Sequence, residues 1–261
     1  MSSAVDCAYK VQGKGPALFV IHGLGARKES WDKIAESLQS RFTCISYDLR
    51  GHGESPLGCG EFTLDDLVSD LEALRARLGI ARLHLIGHSL GGMIGPSYAR
   101  RYPDRVLSLG LISTAAFRSP ADSAALRGVF TAMKEKGIAA VLDTMLNGWF
   151  SDSYARQRPE MVVSRRKEAL GTDSGVFLNV FRIYSETEMA PWLHQIQVPV
   201  LVCTGEFDGA CNPGLNRQIA AALPDSELVI FDDLKHSVLV EAPELIATHV
   251  ADFLRRRTPY T

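Results

Sequence analysis

At 261 residues the chain fits one mid-sized domain with a small insertion and is long enough to bury a large core. An apolar share of 46%, a charged share of 22% and a formal net charge of −2 are ordinary for a globular protein and imply neither a nucleic-acid partner nor a membrane surface. Five scattered cysteines without CxxC spacing point away from a disulfide framework or a zinc site, and Cys44 and Cys203 read as buried strand residues.

The opening Met1–Asp6 lacks the basic and apolar regions of a signal peptide, and no apolar run reaches membrane-spanning length, so the expected compartment is the cytoplasm. Strands are predicted at Ala4–Val11, Ala17–His22, Phe42–Tyr47, Arg82–Ile86 and Val106–Ile112. Two of them, over Leu18–Ile21 and Leu83–Ile86, are near-continuous apolar runs, as expected of parallel strands covered on both faces. The turn Gly13-Lys14-Gly15-Pro16 predicts an antiparallel opening hairpin between the first two. Thr63-Leu64-Asp65-Asp66 is a capping signal for a helix with Leu64, Leu67, Val68, Leu71, Leu74 and Leu78 on one face, stopped by Gly79. Ser89–Arg101 is the next predicted helix.

After Ile112 the rhythm changes. Residues 117–193 carry helical periods at Leu126–Lys136, Ile138–Trp149, Met161–Leu170 and Val176–Glu186, without a convincing strand. Alternation resumes with strand Val200–Thr204, helix Pro213–Leu223, strand Glu227–Phe231 and helix Pro243–Arg257, whose terminal Arg255–Arg257 suits a helix carboxyl end. The pattern predicts a mostly parallel α/β sheet of residues 1–116 and 194–261, with 117–193 as a helical cap over the strand ends, where such sheets bind ligands.

The chemistry centres on Gly87-His88-Ser89-Leu90-Gly91, a G-x-S-x-G motif at a strand-to-helix junction. Gly87 and Gly91 leave room for the tight turn that lifts the Ser89 hydroxyl clear of the sheet. The following helix end favours an oxyanion. Acyl transfer needs two oxyanion donors. The Leu90 N–H is one, and the Leu24 N–H, in His22-Gly23-Leu24-Gly25, is the natural second.

Serine needs a neighbouring base. Of seven histidines, His236 follows the last strand by a short loop and lies at the carboxyl edge of the sheet. His22 and His52 suit loop architecture, His84 lies inside a strand, His88 is expected to point away from Ser89, and His194 and His249 fall on helix surfaces. Asp208 follows the preceding strand and is the candidate carboxylate to orient His236, with Glu206, Asp232 and Asp233 as rivals.

HGLG, DLRGHGES, GHSLGG, GEFD and LKHSVLVEAP stand in an order that resembles the α/β-hydrolase superfamily over essentially the whole chain. The cap, with Trp149 and Phe150, resembles that of 3-oxoadipate enol-lactonases and related ring-cleavage hydrolases. The resemblance implies cofactor-free, metal-free hydrolysis of a small ester, lactone or enol-lactone through an acyl-enzyme, by Ser89, Asp208 and His236. Hydrolysis of a carbon–carbon bond in a vinylogous diketone, a perhydrolase side activity and a non-catalytic ligand receptor on this scaffold are the alternatives. The expected partner is a small-molecule substrate, with the chain a monomer or homo-oligomer. One departure stands out: Gly148 occupies the place where many such lactonases carry a basic residue. Arg118, Arg165, Arg166 and Arg182 are candidates to supply a cation for a substrate carboxylate, Arg118 foremost, against a helix-surface role for each. Trp149 and Phe150 either line the pocket or pack the cap onto the core.

Overall fold

The apolar runs become seven strands of a single sheet in the computed structural model, which describes residues 3–257. The strands are β1 (Tyr9–Gln12), β2 (Ala17–Ile21), β3 (Thr43–Tyr47), β4 (Leu83–His88), β5 (Val106–Ile112), β6 (Val200–Gly205) and β7 (Ser226–Phe231). Their order across the sheet is β1-β3-β2-β4-β5-β6-β7, and every pairing except β1 with β3 is parallel. Met1 and Ser2, part of the segment read for a leader, lie outside the described residues.

Helices cover both faces. Helices α1 (Asp32–Leu38) and α11 (Pro243–Arg257) pack with Leu18, Val20, Cys44, Ile86 and Leu201 on one side. On the other, α2 (Leu64–Arg77), α3 (Gly91–Arg101) and α9 (Pro213–Ala222) pack with Phe19, Ile21, Leu85, Leu109 and Val202. Alternate residues of one strand thus feed opposite cores, which explains why the central strands read as continuous apolar runs. Thr63 and Asp66 form the capping box that opens α2, and Gly79, at φ +66°, follows its end.

The opening hairpin is not formed. Both edges of β2 are taken by parallel partners, β3 and β4, so β1 pairs instead with β3, Tyr9 opposite Tyr47. The Gly13–Pro16 turn crosses over the α1–β3 connection, where Lys14 N donates to the Gln39 carbonyl at 3.2 Å. Gly13 and Gly15 both have positive φ there and press against backbone of Gln39, Arg41 and Phe42. The first strand is also shorter than predicted. Before Tyr9 the ladder gives way to other bonds: Val5 N donates to Asp70, Ala8 N to Ser55, and the Ala8 carbonyl accepts from Asp48 N just past β3.

Between β5 and β6 lie five helices: α4 (Pro120–Lys136), α5 (Ile138–Trp149), α6 (Asp152–Gln157), α7 (Pro159–Leu170) and α8 (Ser174–Glu186). Sequence periodicity missed α6, which is too short to show a period. Met133, Leu142, Leu146, Phe150, Ala169, Phe177 and Phe181 form a separate apolar cluster within this segment. The short α10 (Val238–Glu241) precedes α11. No helix among the described residues is long and apolar enough to cross a membrane.

Candidate active site

Parallel pairing places the carboxyl ends of β2, β4, β6 and β7 along one edge of the sheet, and the loops that leave them meet there. Ser89 stands just past β4 with φ 55°, a left-handed conformation that strains any residue with a side chain. The predicted helix therefore begins at Gly91 rather than at Ser89. The turn is held by Ser89 N donating to the Ile112 carbonyl (2.9 Å) and by the Ser89 carbonyl accepting from Gly92 N and Thr114 Oγ1 (both 2.9 Å). A Cβ on Gly87 would collide with the Gly91 carbonyl, and one on Gly91 with the Ile21 carbonyl. These glycines are steric requirements of the turn.

The second glycine loop follows β2. A Cβ on Gly23 would come within 3.0 Å of the Ser89 Cβ, so the two loops are in close apposition. His22 shapes this loop: its Nδ1–H donates to the Gly23 carbonyl at 2.8 Å, and its Nε2 accepts from Leu49 N at 2.9 Å. Burial pushes His22 down to about 4, so the ring is neutral, as this donor-and-acceptor pair requires. His52, also fully buried, packs against the His22 ring at 5.2 Å, while His84 lies in β4 against Ser108, both in structural settings.

Asp208 and His236 meet beside this pair of loops. His236 Nδ1–H donates to Asp208 Oδ2 at 2.8 Å, which leaves Nε2 free. The other Asp208 oxygen accepts from Ala210 N (3.1 Å) and Cys211 N (2.8 Å). Burial by itself would raise the Asp208 carboxyl, but the His236 charge and hydrogen bond, with the Cys211 N–H, outweigh it and hold the group below its ordinary value. Burial likewise opposes a charged His236, yet the Asp208 carboxylate, helped by the Cys211 thiol, raises it above 6.5. The rival carboxylates lie elsewhere: Glu206, Asp232 and Asp233 are exposed, and Glu206 accepts from Asp233 N. The reach of Asp208 comes from Gly205, whose missing Cβ lets the β6 end lie against the Leu234 and Lys235 carbonyls.

Ser89, His236, Gly23 and Leu24 open onto one pocket of about 1320 Å³ whose far wall comes from the helical insert, including Leu126, Met145, Trp149 and Phe181. Trp149 lines it, with its ring 6.5 Å from that of His236. Phe150 does not: it is 2% exposed and stacks on Tyr154 within the insert's own apolar cluster. Arg118, expected near substrate, is also absent from the lining. Its guanidinium covers the Tyr184 ring and donates to the Tyr184 and Thr187 carbonyls, closing the end of α8.

Two pocket residues, His88 and Arg165, stand in contacts that the sequence did not indicate. His88 packs its ring 4.9 Å from that of His236 and donates Nε2–H to the His236 carbonyl at 2.9 Å. Its place at the very end of β4 was the available signal. Arg165, read as a helix-surface residue, points inward. It donates to the Gly25 and Leu24 carbonyls, both at 2.6 Å, lies over Trp149 at 5.0 Å and pairs with Glu168 at 3.2 Å. Nothing in the run Arg165-Arg166-Lys167-Glu168 distinguishes it from its neighbours. Arg166 pairs with Asp143, and Arg182 with Glu61 and Glu186.

A strand-to-helix turn carrying a serine, on a mostly parallel sheet with an inserted helical segment, defines a hydrolase class, and the chain belongs to the α/β-hydrolase fold family, whose model matches residues 16–243. It is 26% identical over 254 residues to 3-oxoadipate enol-lactonase 2 of Acinetobacter baylyi, covering 97% of this chain and 94% of that protein. It is 31% identical over 257 residues to the pimeloyl-[acyl-carrier protein] methyl ester esterase of Chromobacterium violaceum, covering 93% of each. Among solved structures, the enol-lactonase from Burkholderia xenovorans LB400 superposes with a TM-score of 0.89 at 27% identity, over 96% of this chain and 97% of that one. The chain is thus an α/β-hydrolase related to ring-cleavage hydrolases.

Proposed function

We propose that this chain is a serine hydrolase of a small ester, lactone or enol-lactone, working through an acyl-enzyme. Ser89 Oγ attacks the carbonyl carbon while His236 Nε2 takes its proton, and the imidazolium formed is stabilised by Asp208. The Leu24 and Leu90 N–H groups donate to the oxyanion. His236 then protonates the leaving oxygen, the acyl-enzyme remains on Ser89, and a water activated by His236 releases the acid. Residues 117–193 act as the cap that walls the substrate in, with Trp149 against its apolar body.

One observation carries this reading: Ser89, held at φ 55° between two obligatory glycines, shares a pocket with His236, whose Nδ1 bonds the buried Asp208 at 2.8 Å. The names of the enol-lactonase and methyl ester esterase relatives support the substrate class. A fluorophosphonate probe tests the nucleophile. The native chain becomes labelled, and Ser89→Ala abolishes labelling without changing the circular dichroism spectrum. Labelling that persists in Ser89→Ala overturns the assignment.

A further inference from the structure

Behind the Asp208–His236 pair lies a group that acyl transfer does not use. The Cys211 sulfur, the Asp208 carboxylate and a ring nitrogen of His236 all lie within 4.8 Å of one another. The nitrogen that faces Asp208 is Nδ1. The sulfur lies 3.3 Å from Tyr184 Oη of α8, and Cys211 N donates to Asp208 Oδ1. All three residues are buried, yet only one layer deep, because the neighbouring Gly209 and Ala210 are exposed and line the pocket.

Thiolate, carboxylate and imidazole form the donor set of a three-ligand zinc site with an open fourth position. The two anions together neutralise a divalent cation, which removes the main penalty for burying it. Donors around one tetrahedral ion stand roughly 3.5 Å apart, so the Cys211 sulfur, within 4.8 Å of the other two, approaches by roughly 1 Å while the Asp208–His236 pair opens from 2.8 Å. Gly209, with no atom within 4 Å of its absent Cβ, gives the loop that freedom.

We propose that Asp208, Cys211 and His236 bind a thiophilic divalent cation such as Zn²⁺, and that its binding switches hydrolysis off. The thiol proton leaves to solvent as the metal–sulfur bond forms. The proton of neutral His236 moves from Nδ1, now on the metal, to Nε2, which then no longer accepts a proton from Ser89. The switch, though not the binding, rests on His236 being the base.

Cobalt(II) and zinc(II) are the probes, added to a Cys59→Ser background because Cys59 is the exposed thiol among the described residues. Cobalt gives a thiolate-to-metal charge-transfer band at one equivalent, in this background and equally with Ser89→Ala added. Cys211→Ser and Cys211→Ala, each shown folded by its thermal melt, lose the band and bind zinc more than about tenfold more weakly by titration calorimetry. Zinc inhibits ester hydrolysis reversibly with EDTA, and Cys211→Ser, scaled to its own metal-free rate, resists by a similar factor. Absence of the cobalt band, or equal zinc affinity in the Cys211 variants, overturns the site. A cobalt band with hydrolysis unimpaired overturns the switch. Loss of hydrolase activity altogether speaks against the proposed function and leaves the spectroscopic result to decide the site.

Discussion

Single atoms decide the protonation chemistry. A carboxylate is only an acceptor, so the 2.8 Å bond fixes the proton of neutral His236 on Nδ1 and presents the Nε2 lone pair. Asp208 also stabilises the imidazolium, which raises the pH at which His236 loses its proton. If His236 is the base of the proposed mechanism it must be neutral to act, so kcat/KM is expected to rise with pH through a midpoint above 6.5. Asp208→Asn removes both effects: the midpoint falls, and the rate drops by about 10³–10⁴-fold. A pH–rate profile of both proteins checks this, and a loss under about tenfold would indicate a different orienting group. Of this, the candidacy of Ser89, Asp208 and His236 was legible in the chain order and in the loops that follow each strand, and the structure bonds Asp208 to His236. The ring of His88 against His236 was not, because the turn at Ser89 bends the chain away from regular strand alternation.

At the scale of elements, the helical insert does more than roof the pocket. Arg165 of α7 binds the two carbonyls of the Leu24–Gly25 loop, and the Trp149 carbonyl at the end of α5 accepts from Ser237 N at 2.7 Å, next to His236. Both the Leu24–Gly25 loop and the His236–Ser237 loop are therefore braced by the insert. Arg165→Ala is expected to lower kcat by roughly tenfold, less than the ~10²–10³ of losing an oxyanion donor outright, with little change in KM for a neutral ester. Arg165→Lys recovers part of it. A rise in KM confined to acidic substrates would instead make Arg165 a carboxylate clamp. Steady-state kinetics on a neutral and an acidic ester separate these outcomes. The insert was visible in the sequence as a change of rhythm after Ile112, but which arginine turned inward was invisible, since Arg165 and Arg166 share one charged run. At the basic end of α11, Arg256 and Arg257 pair with Glu227, and Arg255 with Asp252.

Across the whole molecule, the sheet sets the distances on which everything else depends. Gly87 shows the tolerance. Its Cβ would strike Gly91 backbone, which no rotamer change relieves, so Gly87→Ala is expected to destabilise the fold by more than about 3 kcal/mol. Gly128 is an exposed glycine of α4 with nothing within 4 Å, and Gly128→Ala there stabilises by up to about 1 kcal/mol. Urea melts of the two variants make the comparison, and a tolerated Gly87→Ala would contradict the packing of the turn.

What the sequence determined by itself is local: strand and helix identity through apolar period, the glycines that permit the serine turn, and the order of the loops bearing Ser89, Asp208 and His236. Each follows from the side chain and backbone freedom of adjacent residues. Tertiary structure decided what depends on closure in space. It chose β3 over β2 as the partner of β1, brought Arg165 to a loop 140 residues away, and set Cys211 beside Asp208 and His236. Five scattered cysteines gave no sign of a metal site, because ligand spacing along the chain carries no information once two different strands deliver the donors to one sheet edge.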